Sequence, residues 1–300
     1  MKAVVIEGYG DESVLRYVER PQPKLAEGTT LVRIHAIGVN PADGKWRSGM
    51  LQQYVPLTFP HILGYDIAGE VVESDVFAPG DAVVGLLDVF AMGAYAEYAV
   101  APSATLCRKP QGLSWETAAA IPCAGLTGTQ LISRALEVEA GQRVLITGAL
   151  GAVGRFAMAE ALRRGAEVVA AVREEHRVEA RALGATGTLV LAGGAWEGGA
   201  FDRVADTVGG ADVARLCRHL APGGRIATVA TTPIPAEGLA AEPQLYGVQQ
   251  NGPGLQDLCD SVAAGRITVP VSIVLPLSEA SEAQRLTAAG GLGGKVVLRP

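Results

Sequence analysis

Residues 144–154 read VLITGALGAVG, an apolar run that leads into three glycines spaced three positions apart. The next residues, 155–162, have the apolar periodicity of a helix. A strand, a tight turn and a helix start form the frame of a dinucleotide-binding turn. The glycines let the backbone approach a pyrophosphate, whose charge is held by N–H groups and the helix dipole. Without a ligand, the same pattern would be a close-packed strand–helix turn.

Around this turn, short apolar segments alternate with helical ones. The strands are predicted at 143–147, 167–172, 187–191, 201–205 and 225–230, and the helices at 151–164, 175–183 and 210–220. Strands separated by helices are typical of βαβ units. The sequence therefore predicts a Rossmann-type, doubly wound parallel sheet in an α/β protein.

The flanking regions have a different character. Residues 1–118 contain short strands divided by Gly and Pro, which predicts a β-rich, barrel-like domain. Its strands are predicted at 31–37, 66–72, 81–85 and 95–100, and Ser114 can cap a following helix. In the tail, helices are predicted at 255–264 and from Ser278, and strands at 269–274 and 295–298. The predicted domains are thus 1–118, a coenzyme-binding domain at 119–253, and a tail at 254–300.

Composition excludes several classes of protein. The 300 residues are 49% apolar with a net charge of −6, and no basic block is interleaved with aromatic residues, so a nucleic-acid partner is not expected. Glu7 follows the N-terminus too soon for a signal peptide, and Glu97 and Pro102 interrupt the most apolar stretch, so no membrane partner is expected. The four cysteines form no C-x-x-C pair, which disfavours disulfides and structural zinc. A cytoplasmic protein is the resulting expectation.

Nine short motifs, in order, resemble the medium-chain dehydrogenase/reductase family, and within it the zinc-independent quinone oxidoreductase (ζ-crystallin-like) branch. They lie at residues 38–43, 62–69, 79–83, 93–98, 124–127, 148–154, 206–210, 222–225 and 294–298. The resemblance implies a GroES-like barrel domain, a Rossmann domain, and a tail that folds back onto the first domain. It also implies a coenzyme in a cleft between the two domains and, by analogy, a homodimer.

The resemblance also indicates whether the protein binds a catalytic zinc ion. Metal-dependent relatives bind catalytic zinc with a cysteine, a histidine and a second cysteine, and the corresponding positions here hold Asn40, Tyr65 and Cys123. One thiolate cannot complete a three-ligand site, and neutral Asn and Tyr are poor zinc ligands. No metal is therefore expected; Cys123 would line the cleft or fill the core.

The residues that follow the second predicted strand of the Rossmann domain indicate whether the coenzyme is NADH or NADPH. An NAD site places an acid there, but the residue after 167–172 is Arg173, with His176 and Arg177 nearby. Charge-assisted hydrogen bonds to a 2′-phosphate, at ~1.5–3 kcal/mol each, would favour NADPH by roughly 10–100-fold. Glu174 and Glu175 could instead take the NAD role, and Arg173 could be a solvated surface charge.

A hydride donor without a metal suits quinones and activated alkenes, which need little activation. The candidate oxyanion donors are Asn40, Tyr65 and Tyr54. Predicted coenzyme contacts, in part implied by the resemblance, are Thr127, Gly148, Leu150, Gly151, Ala152, Val153, Arg173, His176, Arg177, Thr207, Val208, Ala230 and Thr231. The hypothesis is an NADPH-dependent reductase of a small quinone or enone; the alternatives are a 2-alkenal or enoyl reductase, or an NADPH-binding protein without catalysis.

Overall fold

The fold is that of a computed structural model, which describes residues 1–193 and 196–300. The chain forms two compact units: Met1–Cys123 together with Gln250–Pro300, and Ala124–Gln249. The units therefore place residues 119–123 and 250–253 with the β-rich part, whereas the sequence assigned them to the coenzyme-binding domain. The reason is that helix 115–119 packs on strands of the first unit, and the helix that begins at Gly252 does the same.

The N-terminal part of the first unit is rich in strands. Its elements are β1 (Lys2–Ile6), β2 (Arg16–Glu19), β3 (Thr29–Gly38), α1 (Pro41–Arg47), β4 (His61–Ile62), β5 (Asp66–Ser74), β6 (Ala82–Leu86), β7 (Tyr98–Pro102), β8 (Leu106–Arg108) and α2 (Trp115–Ala119). Strand β3 lies at the centre, antiparallel to both β5 and β7. The strand predicted at 95–100 begins only at Tyr98, because Tyr95 is a fully buried loop residue held by Leu63.

The second unit has the predicted α/β pattern. Its elements are α3 (Pro122–Gln130, whose first two residues belong to the first unit), β9 (Arg143–Thr147), α4 (Ala152–Arg163), β10 (Glu167–Val172), α5 (Arg177–Ala182), β11 (Gly187–Val190), β12 (Phe201–Asp206), α6 (Gly210–Cys217), β13 (Leu220–Thr228) and β14 (Gln244–Leu245). The strand order is β11-β10-β9-β12-β13-β14, and the pairs are parallel. Val144 and Ile146 pack into one core cluster and Leu145 into another, as expected for a strand covered on both faces. The doubly wound sheet is confirmed.

Strand β13 differs from its prediction at both ends. It starts at Leu220 rather than at 225 and ends at Thr228 rather than at 230. Leu220 already pairs with Phe201, and a register shift then absorbs the Pro-Gly-Gly segment before Arg225 pairs with Arg203. Local sequence hides this because the glycines resemble a turn.

The returning segment completes the first unit with α7 (Gly252–Ala263), β15 (Val271–Pro276), α8 (Ala280–Ala289) and β16 (Lys295–Arg299). Strand β16 is antiparallel to β3, with Val297 opposite Gly38. The tail thus forms part of the first unit. This pairing brings the start of β16 beside the β3–α1 junction. In the described part of the chain, no helix is both long and apolar enough to span a bilayer.

Candidate functional site

The glycine turn of the second unit forms a backbone cradle. Gly148 has φ +60°, and a Cβ there would lie 2.5 Å from Thr207 Oγ1. A Cβ on Gly154 would lie 2.1 Å from the Gly148 carbonyl oxygen, so α4 approaches the turn too closely for any side chain. Gly151 is the N-cap of α4 and carries no capping side chain. The first N–H groups of α4, including those of Ala152 and Val153, lack helical acceptors and fit a pyrophosphate.

Beside this turn, Asp206 ties three strand ends together. Its buried carboxylate accepts hydrogen bonds from Thr147 Oγ1 at 2.6 Å and from Thr228 Oγ1 at 2.5 Å. It also accepts the N–H of Val208 at 3.0 Å, and Thr207 Oγ1 donates to the Thr147 carbonyl at 2.8 Å. The network fixes the loop after β12 at the carboxyl edge of the sheet, where ligands of such folds bind.

The side chain of Asp206 was missed by the sequence reasoning, which considered only backbone groups at this loop. A signal was present, since an Asp at the start of a turn commonly accepts N–H groups two or three residues further on, and Gly209 and Gly210 mark this segment as a turn. Of the other predicted coenzyme residues, Ala230 donates its N–H to Thr228 Oγ1 at 3.0 Å. Thr231 follows it and is half-buried, Leu150 lies in the turn, and Thr127 is buried on α3.

In the segment after β10, the three side chains predicted to bind the 2′-phosphate, Arg173, His176 and Arg177, have different surroundings. The Arg177 guanidinium pairs with Glu174 at 3.1 Å, and the His176 ring lies 3.9 Å from Glu179. Arg173 is exposed, and within the described residues it makes no ion pair or side-chain hydrogen bond. Within the described residues, the charge of Arg173 is therefore available, whereas Arg177 is already paired with Glu174 and His176 faces Glu179.

In the first unit, Asn40 lies in a buried polar cluster. Asn40 precedes α1, Asp66 opens β5 and Lys295 opens β16, and the three are at most 6% exposed. Lys295 Nζ donates to Asn40 Oδ1 at 2.5 Å and lies 3.6 Å from Asp66 Oδ2. Asn40 Nδ2 donates to the same carboxylate oxygen at 2.9 Å. Three segments distant in sequence thus meet at one ammonium group.

The orientation of Asn40 corrects the expectation that its amide N–H is free for a substrate oxygen. Its Nδ2 donates to Asp66 and, at 3.4 Å, to the Gly38 carbonyl. The orientation is fixed because the Lys295 ammonium can only donate and must face the amide oxygen. Asn40 is therefore a structural link in this cluster and not an open oxyanion donor.

Tyr65 and Cys123 join the cluster on its other side. The Cys123 N–H donates to Asp66 Oδ1 at 2.8 Å, and the Tyr65 hydroxyl is hydrogen-bonded to the Cys123 side chain. Burial raises the pKa of Tyr65 well above its ordinary value, and the neighbouring Cys123 adds to this effect. Tyr65 is therefore a neutral hydrogen-bonding group at ordinary pH. Tyr54 is not part of the cluster; its side chain is 61% exposed in the turn region after α1.

Comparison with known proteins decides the family. A model described as an alcohol dehydrogenase GroES-like domain matches residues 26–111, and one described as a zinc-binding dehydrogenase matches residues 165–298. The structure of a quinone oxidoreductase from Coxiella burnetii is 30% identical with a TM-score of 0.89, and the match covers 100% of this chain and 99% of that protein. The chain belongs to the quinone oxidoreductase branch of the medium-chain dehydrogenase/reductase family. It is thus an oxidoreductase.

Two further relatives of this oxidoreductase differ in their descriptions. A chloroplastic quinone-oxidoreductase, QR1, from Triphysaria versicolor is 39% identical over 168 residues, which span 53% of this chain and 51% of that protein. The structure of an NAD-dependent alcohol dehydrogenase is 30% identical with a TM-score of 0.87, covering 100% of both chains. The family alone therefore fixes neither the coenzyme nor the acceptor, and these must be argued from the chain's own residues.

The residues of the same cluster decide whether this family member could bind catalytic zinc. One matching model is described as a zinc-binding dehydrogenase, yet the positions that correspond by resemblance to zinc ligands are Asn40, Tyr65 and Cys123. Within residues 1–193 and 196–300, no three His, Cys, Asp or Glu side chains are grouped so that they could hold a metal ion. The donor set, with one thiol and an amide oxygen that already accepts from Lys295, does not fit catalytic zinc.

A second carboxyl group of the cluster gives a pH-dependent prediction. Asp43 is fully buried, and its Oδ2 accepts the Asn40 N–H and the Tyr95 hydroxyl, both at 2.9 Å. Its Oδ1 has no partner, and burial raises the pKa of Asp43 to about 7. The folded pKa exceeds the unfolded one, so the stability due to the bound proton is complete below about pH 4 and disappears by about pH 7. We expect Asp43→Asn, which carries an N–H in place of this proton, to lose that dependence.

The measurement is urea unfolding of both proteins at several pH values between 4 and 7. The free energy of unfolding of the wild type should fall relative to that of Asp43→Asn as the pH rises. The exposed Asp257 provides a control, because Asp257→Asn should follow the wild-type pH profile. Parallel profiles for Asp43→Asn and the wild type would show that Asp43 is ionised across this range.

Proposed function

We propose that this oxidoreductase is a metal-independent, NADPH-dependent reductase of quinones or activated alkenes. The single observation that carries the coenzyme assignment is the unpaired, exposed Arg173 directly after β10. In doubly wound folds, this position lies beside the 2′-group of the adenosine ribose. A cation there favours a 2′-phosphate, whereas an acid would favour the 2′-hydroxyl of NADH.

The chain's residues support the binding of such a coenzyme in specific ways. The turn at Gly148 and Gly151 exposes backbone N–H groups to the pyrophosphate, and Asp206 holds the adjoining loop rigid. When bound, a reduced nicotinamide supplies the hydride. Preorganised backbone groups then need little rearrangement when the coenzyme binds.

The first unit supports an acceptor that does not require a Lewis acid. The Asn40 amide is hydrogen-bonded to both Lys295 and Asp66. It therefore cannot help these residues to bind a zinc ion that would polarise a substrate carbonyl. Quinones and activated alkenes accept hydride at an electrophilic carbon and delocalise the charge onto oxygen. The hydroxyl of Tyr65 hydrogen-bonds to Cys123 and stays neutral at ordinary pH, so it remains a hydrogen-bonding group in this cluster.

The coenzyme assignment is tested with Arg173→Gln. We expect KM for NADPH to rise ~10–100-fold, as one to two charge-assisted hydrogen bonds are lost, while KM for NADH stays unchanged. Steady-state kinetics with both coenzymes and a quinone acceptor measure this. Arg181→Gln is the matched control, since it removes the same charge from an exposed position on α5.

Three results would contradict the proposal. Equal or better use of NADH by the wild type would reject NADPH preference. An unchanged NADPH KM in Arg173→Gln would remove Arg173 from the coenzyme site. Tight NADPH binding without oxidation across quinones and enones would favour a binding protein. Within the proposal, faster turnover of enones than of quinones would favour an alkenal or enoyl reductase over a quinone reductase.

A further inference from the structure

A buried lysine stands at the centre of the first unit's polar cluster. Lys295 is 6% exposed at the start of β16, and its ammonium contacts Asn40 and approaches Asp66. Lysine is almost never this buried without a partner, because desolvation of its charge is costly. Its position is set by the pairing of β16 with β3, which is part of the core of the fold.

The groups around this ammonium are those that would otherwise attract a cation. Asn40 Oδ1 faces Lys295 Nζ at 2.5 Å, and the Asp66 carboxylate lies 3.6 Å from it. The Cys123 N–H donates to the other oxygen of Asp66, and the Cys123 side chain hydrogen-bonds to the Tyr65 hydroxyl, so the thiol lies beside this cluster. In the absence of the ammonium, the Asp66 carboxylate and the Cys123 thiolate would be the two strong donors for a divalent ion such as Co²⁺, with the Asn40 amide oxygen as a weak third donor and water in a fourth position.

We propose that the Lys295 ammonium is the built-in cation of this cluster and that it keeps divalent metal ions out. It neutralises Asp66, occupies the oxygen of Asn40 and repels a second cation at contact distance. Lys295 is thus a positioning residue, which fixes Asn40 and Asp66 and so makes the cluster metal-free. This inference rests on the metal independence in the proposed function and explains it.

The test is a titration of the full-length chain with Co²⁺ alone, because cobalt–thiolate bonds give a strong charge-transfer absorption band. Lys295→Met removes the charge and keeps an unbranched side chain that is one atom shorter. We expect it to bind one equivalent of Co²⁺ with a thiolate band and to gain thermal stability on binding. Wild type and Lys295→Arg, which keep the cation, should show no band and no shift in melting temperature.

The ligand is assigned with the double variant Lys295→Met/Cys123→Ser, in which the thiolate band should disappear. Lys295→Gln provides a second uncharged variant, and it should respond to Co²⁺ as Lys295→Met does. No band in either uncharged variant, or a band that survives Cys123→Ser, would overturn the inference. A band in the wild type would overturn it as well, whereas loss of NADPH oxidation on metal removal would contradict the proposed function, so the two failures are distinguishable.

Discussion

Asp66→Ala is expected to destabilise the protein by about 3–5 kcal/mol, because it leaves a buried ammonium without its counter-charge. Lys295 is 6% exposed and lies 3.6 Å from the carboxylate that this change removes. The same change frees the Cys123 N–H and one Asn40 N–H, both of which donate to Asp66. Burial raises the pKa of Asp66, and these three donors oppose the rise. Urea unfolding at pH 7 measures the loss.

The control for this prediction removes both charges together. Asp66→Ala/Lys295→Met leaves no isolated charge in the core and should recover most of the lost stability. Asp257→Ala, at an exposed position on α7, should change stability by no more than about 0.5 kcal/mol. If the effects of the two single changes at Asp66 and Lys295 simply add in the double variant, the two groups do not interact.

Gly154→Ala is expected to impair the second unit and its coenzyme site together. The added Cβ would lie 2.1 Å from the Gly148 carbonyl oxygen and 2.7 Å from Ala149 Cα, both rigid backbone atoms. Relief of this clash requires α4 to move away from the turn, at about 1–3 kcal/mol in stability. Because the displaced turn no longer presents its N–H groups in the binding geometry, restoring that geometry costs about 1.4 kcal/mol or more on binding, and we expect the Kd for NADPH to rise ~10-fold or more.

The measurements are thermal unfolding and a fluorescence titration with NADPH. Gly247→Ala is the matched control in the same unit, because a Cβ there meets no heavy atom within 4 Å. It should leave both stability and coenzyme affinity near their wild-type values. Wild-type affinity in Gly154→Ala would mean that the close approach of α4 to the turn is unimportant for binding.

The elements that were predictable from sequence are those built from local periodicity. Strand β9, the glycine turn and α4 follow from an apolar run, three glycines and helical spacing within residues 143–163. The parallel order of the sheet follows from the alternation of strands and helices. Irregular elements were not predictable, as β13 shows, since a register shift lies inside its glycine segment.

The candidate site was predictable only in part, for a related reason. The contact between Lys295 and Asn40 joins residues 255 positions apart, and no local pattern predicts it. The resemblance brought Asn40 to attention, but the direction of its amide depends on that distant ammonium. By contrast, the pairing of Arg177 with Glu174 has the i, i+3 spacing of a helical ion pair and could have been read from the sequence.

Metal independence and NADPH preference are both tested by NADPH oxidation with the full-length chain before and after metal removal by a strong chelator. We expect a quinone acceptor to be reduced at the same rate in both samples, and NADH to support the reaction less well than NADPH. Loss of activity on chelation with recovery on addition of Zn²⁺, or faster reaction with NADH, would contradict the proposed function.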